Sequence, residues 1–203
     1  MYRFSQQPLL ISLLAGLVLS GCSSQTTAPA TALNSDAFTP SAYTPGEFNA
    51  NSLYALLTAE LAGKQGRFDL ALDNYLQEAE ATGDAAVAER ATRIAQFLRR
   101  PDAVLKASEL WYQADPGALE PLHIQANILL HEGRFDDALP LLRTLLTQGG
   151  NEGLSLIGAR IDEMSAEIAG HYSRLLTELH EAEPERLDLL LVRALLLKQQ
   201  RRP

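Results

Sequence analysis

GRFDLAL, Gly66–Leu72, and GRFDDAL, Gly133–Leu139, are one phrase written twice. Six of the seven residues match, and the copies stand 67 positions apart, about twice a 34-residue period. A repeat of that length is a supersecondary unit that stacks on its neighbours and does not close one globular core. In each copy a Gly stands where a first helix must stop and turn. The aromatic two residues later opens a second helix, and the Ala three further on lets the two helices approach closely. The chain therefore reads as a series of helix–turn–helix units.

Helical spacing extends the pattern in both directions. Before Gly66, the positions Leu53, Leu56, Leu57, Glu60 and Leu61 predict a helix over 53–64 with that stripe facing the stack. After it, Phe68, Ala71, Leu72, Tyr75 and Ala79 line a helix over 68–81. Thr82-Gly83-Asp84 closes that helix, with Gly as its C-cap and Asp as the next N-cap. In the second repeat Val87, Ala91, Ile94 and Leu98 mark a helix over 86–99, which Arg100-Pro101-Asp102 ends. Val104, Ala107, Leu110 and Trp111 follow over 103–114, with Trp111 read as core. The third repeat carries Leu122, Ala126, Leu129 and Leu130, then Phe135, Ala138, Leu139, Leu142, Leu145 and Leu146. Pro140 conflicts with its helix, so a late start or a local kink is expected there.

A fourth, degenerate unit follows the Gln148-Gly149-Gly150-Asn151 turn, with helices over 154–165 and 167–181. The last helix, over 186–200, holds Leu187, Leu190, Leu191, Ala194, Leu195 and Leu197 with no partner behind it. Arg201-Arg202-Pro203 then reads as the turn before a missing second helix, so the chain is expected to be cut within a longer array. The fold class is all-α: a helix–turn–helix solenoid of about four and a half repeats over 52–203.

The N-terminus is organised differently. Residues 1–21 hold a short n-region with Arg3 and an apolar run from Leu9 to Leu19, too short to span a bilayer and suited to a cleaved secretory signal. Leu19-Ser20-Gly21-Cys22 resembles a bacterial lipobox. That resemblance implies acylation of Cys22, cleavage before it, and durable anchoring by several acyl chains. Ser23 and Ser24, with no Asp behind Cys22, imply the outer membrane. Cys22 is the sole cysteine, so no intramolecular disulfide forms. Residues 22–51 form the lipidated Cys and a Ser/Thr/Ala/Pro-rich flexible tether. Its extended reach is on the order of 90 Å and its mean span roughly 30 Å. Its aromatics Phe38, Tyr43 and Phe48 are expected to dock back on the chain's own helices.

No constellation for chemistry emerges. The formal net charge of −8 argues against nucleic acid as the partner. His123 and His131 lie on one helix roughly 12 Å apart along its axis, too far to share a metal ion, and no metal or other cofactor is expected. GxSxG elbows, phosphate loops and paired-carboxylate motifs do not stand out. A non-enzymatic protein is expected, working through its surface: stacked helix pairs make a groove for an extended peptide or a partner's helix. Candidate groove residues on first helices are Asn51, Tyr54, Thr58 and Gln65 in the first repeat, and His123, Asn127 and His131 in the third.

The sets Gly66, Phe68, Ala71, Leu72, Tyr75 and Gly133, Phe135, Ala138, Leu139, Leu142 resemble the tetratricopeptide repeat. LYALLTAELAGKQGRFDLALDNYLQEAEATGDAAVAERATRIAQFLRR, residues 53–100, narrows the match when taken with the lipobox. It is similar to the tetratricopeptide-repeat lipoproteins of Gram-negative bacteria that act as adaptors for periplasmic carboxy-terminal processing proteases. The resemblance implies no active site. It implies a scaffold at the periplasmic face of the outer membrane that binds the serine protease and brings it substrates such as cell-wall hydrolases. Members of that family are substantially longer, which fits truncation. Two other readings stay open: a pilotin-like or outer-membrane-assembly lipoprotein of the same fold class, and an unrecognised hydrolase.

Overall fold

The computed structural model describes residues 46–148 and 151–201. The leader 1–21, Cys22, the tether to residue 45 with Phe38 and Tyr43, Gly149, Gly150, Arg202 and Pro203 lie outside the described residues. Among the described residues nine α-helices follow one another: α1 Ala50–Lys64, α2 Phe68–Thr82, α3 Ala85–Phe97, α4 Pro101–Ala114, α5 Glu120–His131, α6 Phe135–Gln148, α7 Glu152–Arg160, α8 Ala166–Ala182 and α9 Leu187–Gln200. A single 3₁₀ turn, Ile161–Glu163, follows α7. From α1 to α6 each helix packs on the next, and α2 also meets α4. This is an all-α helix–turn–helix solenoid, as the repeat predicts.

The repeated phrase fixes the geometry of each turn. Gly66 and Gly133 both adopt φ +72°, the left-handed region that side chains with a Cβ enter only at a cost. That conformation turns the next amide back on the helix just ended: Arg67 N–H donates to the Ala62 carbonyl and Arg134 N–H to the Leu129 carbonyl, each at 2.8 Å. The second repeat makes the same turn without glycine. Arg99 stands there at φ +55°, and Arg100 N–H donates to the Ala95 carbonyl at 3.1 Å. Its left-handed backbone costs about 1–2 kcal/mol, partly offset by a cation lying at the C-terminal end of α3. Ala71 and Ala138, the small residues of the two phrases, are fully buried where paired helices meet.

Burial runs in series. One apolar cluster joins α1 to α4 and reaches Ile124 of α5; a second runs from Leu122 through α9. Trp111 is buried, with the Arg93 guanidinium 5.6 Å from its ring centroid. The chain entering α1 is fastened as well. Asp84 caps α3 by accepting from Val87 N–H at 2.9 Å, while its other oxygen accepts from Gly46 N–H at 3.0 Å. A Cβ at Gly46 would fall 2.5 Å from the Thr82 carbonyl oxygen, so the approach requires glycine. Asn49 caps α1 through Asn51 N–H and Ser52 N–H, which carries the first helix to Ala50, ahead of the expected start at 53. Phe48 remains half-exposed.

Three expectations for these helices are corrected. In α1 the buried face is Ser52, Ala59 and Ala62, whereas Leu53, Leu57 and Leu61 are 60%, 54% and 57% exposed. Close approach to α2 selects the small residues, and the leucine row points away from it. In α9 the packed face is Leu189, Val192 and Leu196, leaving Leu187, Leu190, Leu191, Leu195 and Leu197 exposed. Pro140 does not delay α6, which begins at Phe135 with Ala138 N–H donating to the Arg134 carbonyl at 3.2 Å. Pro140 lies on the exposed side, where water can serve the carbonyl its missing amide leaves free.

The fourth unit is opened, not merely degenerate. Its first helix, expected over 154–165, is cut to Glu152–Arg160 and ends in the 3₁₀ turn. α7 packs on α5, α6 and α9, while α8 pairs mainly with α9. Tyr172 ties α8 into the core: its buried hydroxyl donates to the Phe135 carbonyl at 2.7 Å. Arg186 closes the joint by donating to the Leu146 carbonyl at 2.7 Å.

Two substitutions measure what the repeat phrase contributes. Ala138→Leu should destabilise by about 1–3 kcal/mol through overpacking, and Gly133→Ala by about 1–2 kcal/mol through the left-handed backbone. Both are read from denaturant midpoints by circular dichroism. On α1, Leu57→Ser should change stability by less than about 0.5 kcal/mol, since the residue is exposed. A larger loss there would place the leucine row in the core after all.

Candidate protein-binding groove

A wide concavity lies where the end of α3 and the start of α4 face α5, with a volume of about 1080 Å³. Pro101, Val104, Ile124 and Ile128 give it an apolar floor. His123, Asn127 and His131 succeed one another at steps of four along α5 and so form one row on one side of that helix. Gln96, in the last turn of α3, lines the concavity together with Arg99 and Arg100 of the turn that the left-handed residue creates. A shallower concavity of about 520 Å³ adjoins it, where His123 meets Glu120, Glu152 and Ser155.

The groove's charge runs against that of the chain. Lys and Arg number 17 against 25 Asp and Glu, yet the residues lining the groove include no carboxylate. Arg100 leans out to Asp69 at 3.3 Å, an exposed pair. The Arg160 guanidinium rests against the His131 imidazole and pairs with Glu163 at 2.7 Å, placing an ion pair beside that end. One turn before Gln96 on α3, Arg93 bridges Glu89 and Glu120 at 3.3 and 2.8 Å, tying α3 to α5. The groove thus combines an apolar floor with a cationic and amide-bearing rim on helices braced against each other.

The candidates chosen from sequence divide. His123, Asn127 and His131 share this groove; Tyr54, Thr58 and Gln65 do not line it. Tyr54 is 75% exposed, and the Thr58 hydroxyl is turned back on its helix, donating to the Tyr54 carbonyl at 2.8 Å. Gln65 is the C-cap of α1, and the Asn51 backbone N–H donates to the Asn49 cap. The concavity of the first repeat, about 280 Å³, is bordered instead by Glu60, Lys64, Phe68, Tyr75, Arg90 and Ile94. Gln96, Arg99 and Arg100 belong to the second repeat, whereas the groove residues expected from sequence lie only in the first and third. The repeat register was the available signal: Arg99 falls 33 residues after Gly66 and 34 before Gly133. Among the described residues no group of three or more His, Cys, Asp and Glu could hold a metal ion, and no helix is long and apolar enough to cross a membrane.

Comparison with known proteins agrees with this architecture. A tetratricopeptide (TPR) repeat-containing protein of Pseudomonas aeruginosa is 34% identical over 158 residues, 78% of this chain and 27% of that protein. The fold is tetratricopeptide-like. The chain spans about a quarter of the length of this relative, so the likeness concerns a run of repeats and not the whole of that protein. No protein-family model matches the chain.

Tyr75 gives a titration handle on the first repeat. Burial, and then its hydrogen bond to the Glu60 carboxylate, push its phenol up from 10.0 to about 12. A raised folded value means the contribution is fully present below the unfolded value and lost as pH rises through the folded one. Thermal stability should therefore decline between about pH 10 and 12. Tyr75→Phe should flatten that decline, as followed by tyrosinate absorbance alongside melting curves.

Proposed function

We propose that the chain is a non-enzymatic scaffold, anchored through acylated Cys22 at the periplasmic face of the outer membrane. It holds a carboxy-terminal processing serine protease and the cell-wall hydrolases that the protease degrades. The observation that carries this reading is the groove across α3, α4 and α5. An open concavity with an apolar floor and a polar, carboxylate-free rim suits an extended segment of another protein better than an enclosed small substrate. Three further features support it. Residues 19–22 resemble a lipobox, residues 53–100 resemble the adaptor lipoproteins of such proteases, and the Pseudomonas relative is described as TPR repeat-containing. Solenoids of stacked helix pairs work through such surfaces.

Capture from detergent-solubilised envelope by the tagged chain at native level, followed by mass spectrometry, tests the proposal. Recovery of a periplasmic serine protease is expected, and the chain should then accelerate that protease on a wall hydrolase without cleaving anything alone. Recovery of secretin or barrel-assembly subunits without a protease would replace this reading with a pilotin-like one. Cys22→Ser should move the chain from the membrane to the soluble periplasmic fraction; retention in the membrane would remove the lipid anchor from the proposal.

A further inference from the structure

The turn after α3 breaks the grammar of its own repeat. Gly66 and Gly133 occupy the left-handed position after α1 and α5, and Arg99 occupies it after α3 with the same return hydrogen bond behind it. The turn geometry is therefore kept while the residue best suited to it is given up. A Cβ-bearing residue in this conformation is strained, and such strain persists where the side chain is put to use. What the substitution delivers is a guanidinium on the rim of the groove. Among the described residues no ion pair engages the Arg99 side chain, whereas Arg100 beside it is paired with Asp69.

The geometry points to Arg99 as the residue that reads a carboxylate on the segment occupying the groove. The occupant is an extended peptide of a protein partner in which acidic and aliphatic residues alternate. Its aliphatic side chains lie on Pro101 and Ile128, and its carboxylates face the guanidinium of Arg99 at one wall and Asn127 at the other. Charge complementarity selects this occupant: the rim is cationic and free of carboxylates within an acidic chain, and a planar guanidinium offers paired donors to a carboxylate. The inference rests on the groove being the partner-binding surface and adds the chemistry of what it recognises.

The test uses the full chain and a short fluorescein-labelled peptide of alternating Leu and Glu, with a matched peptide carrying Gln for Glu, read by anisotropy. The Glu peptide should bind about 10-fold more tightly than the Gln peptide, with the gap narrowing as salt rises above about 0.15 M. Arg99→Gly should lose that preference while its melting temperature holds or rises by about 2 °C, because glycine relieves the turn. Loss of binding then cannot be ascribed to unfolding. Arg99→Lys should keep part of the preference. Equal affinity for the two peptides, binding by neither, or an unchanged preference in Arg99→Gly would overturn the inference. Protease capture that persists beside such a result leaves the scaffold reading standing and removes only the carboxylate. A Glu preference that depends on Arg99, with no protease captured, does the reverse.

Discussion

The structure depends on how closely two antiparallel helices can approach after a turn of three residues. A left-handed residue returns the next amide to a carbonyl of the helix just completed, so the second helix starts at a fixed height and angle. Ala71 and Ala138 then take up contact distance, both without exposed surface. Larger side chains there would push the axes apart, and the leucines packed around them, Leu72 and Leu142 among them, would lose their contacts. The same constraint accounts for Arg99, whose backbone keeps the turn at an energetic cost that glycine would avoid.

Because each unit closes against its neighbours, burial is distributed along the chain. Ile124 belongs to the first apolar cluster although it lies on α5, while Leu122 on the same helix belongs to the second. One helix therefore serves two cores with two faces and still presents a third, the row of His123, Asn127 and His131, to the groove. Among the described residues α1 and α9 have neighbours on fewer sides. That is why α1 and α9 carry leucine rows in the open while their packed faces are built from Ala59, Ala62, Leu189 and Leu196. The fourth unit shows the limit of the repeat. With α7 shortened, α8 pairs with α9 and not with α7, and the Tyr172 hydroxyl and Arg186 tie that pair to the Phe135 and Leu146 carbonyls of α6.

Much of this was legible in the sequence because the signals were local. Glycine before an aromatic, Gly83 followed by Asp84, and Pro101 opening α4 each fix a boundary through backbone sterics or capping, which need no knowledge of the rest of the fold. Helical periodicity likewise identified the core of α2 to α6, where apolar and polar residues alternate cleanly. It failed on α1, where leucines occupy more than one face and periodicity alone does not say which face has a neighbour. It also failed at Pro140, which an exposed helix side tolerates.

The sequence by itself determined the class, the repeat and the position of nearly every turn, since each follows from conformational limits within a few residues. Tertiary structure alone decided which face of α1 and α9 is covered, that α8 pairs with α9, and that His123, Asn127 and His131 share a groove with Arg99 and Arg100 while Tyr54, Thr58 and Gln65 do not. Those outcomes depend on which helices become neighbours. That is settled by the packing of whole units against one another, where contacts join residues some 30 positions apart that no local pattern links.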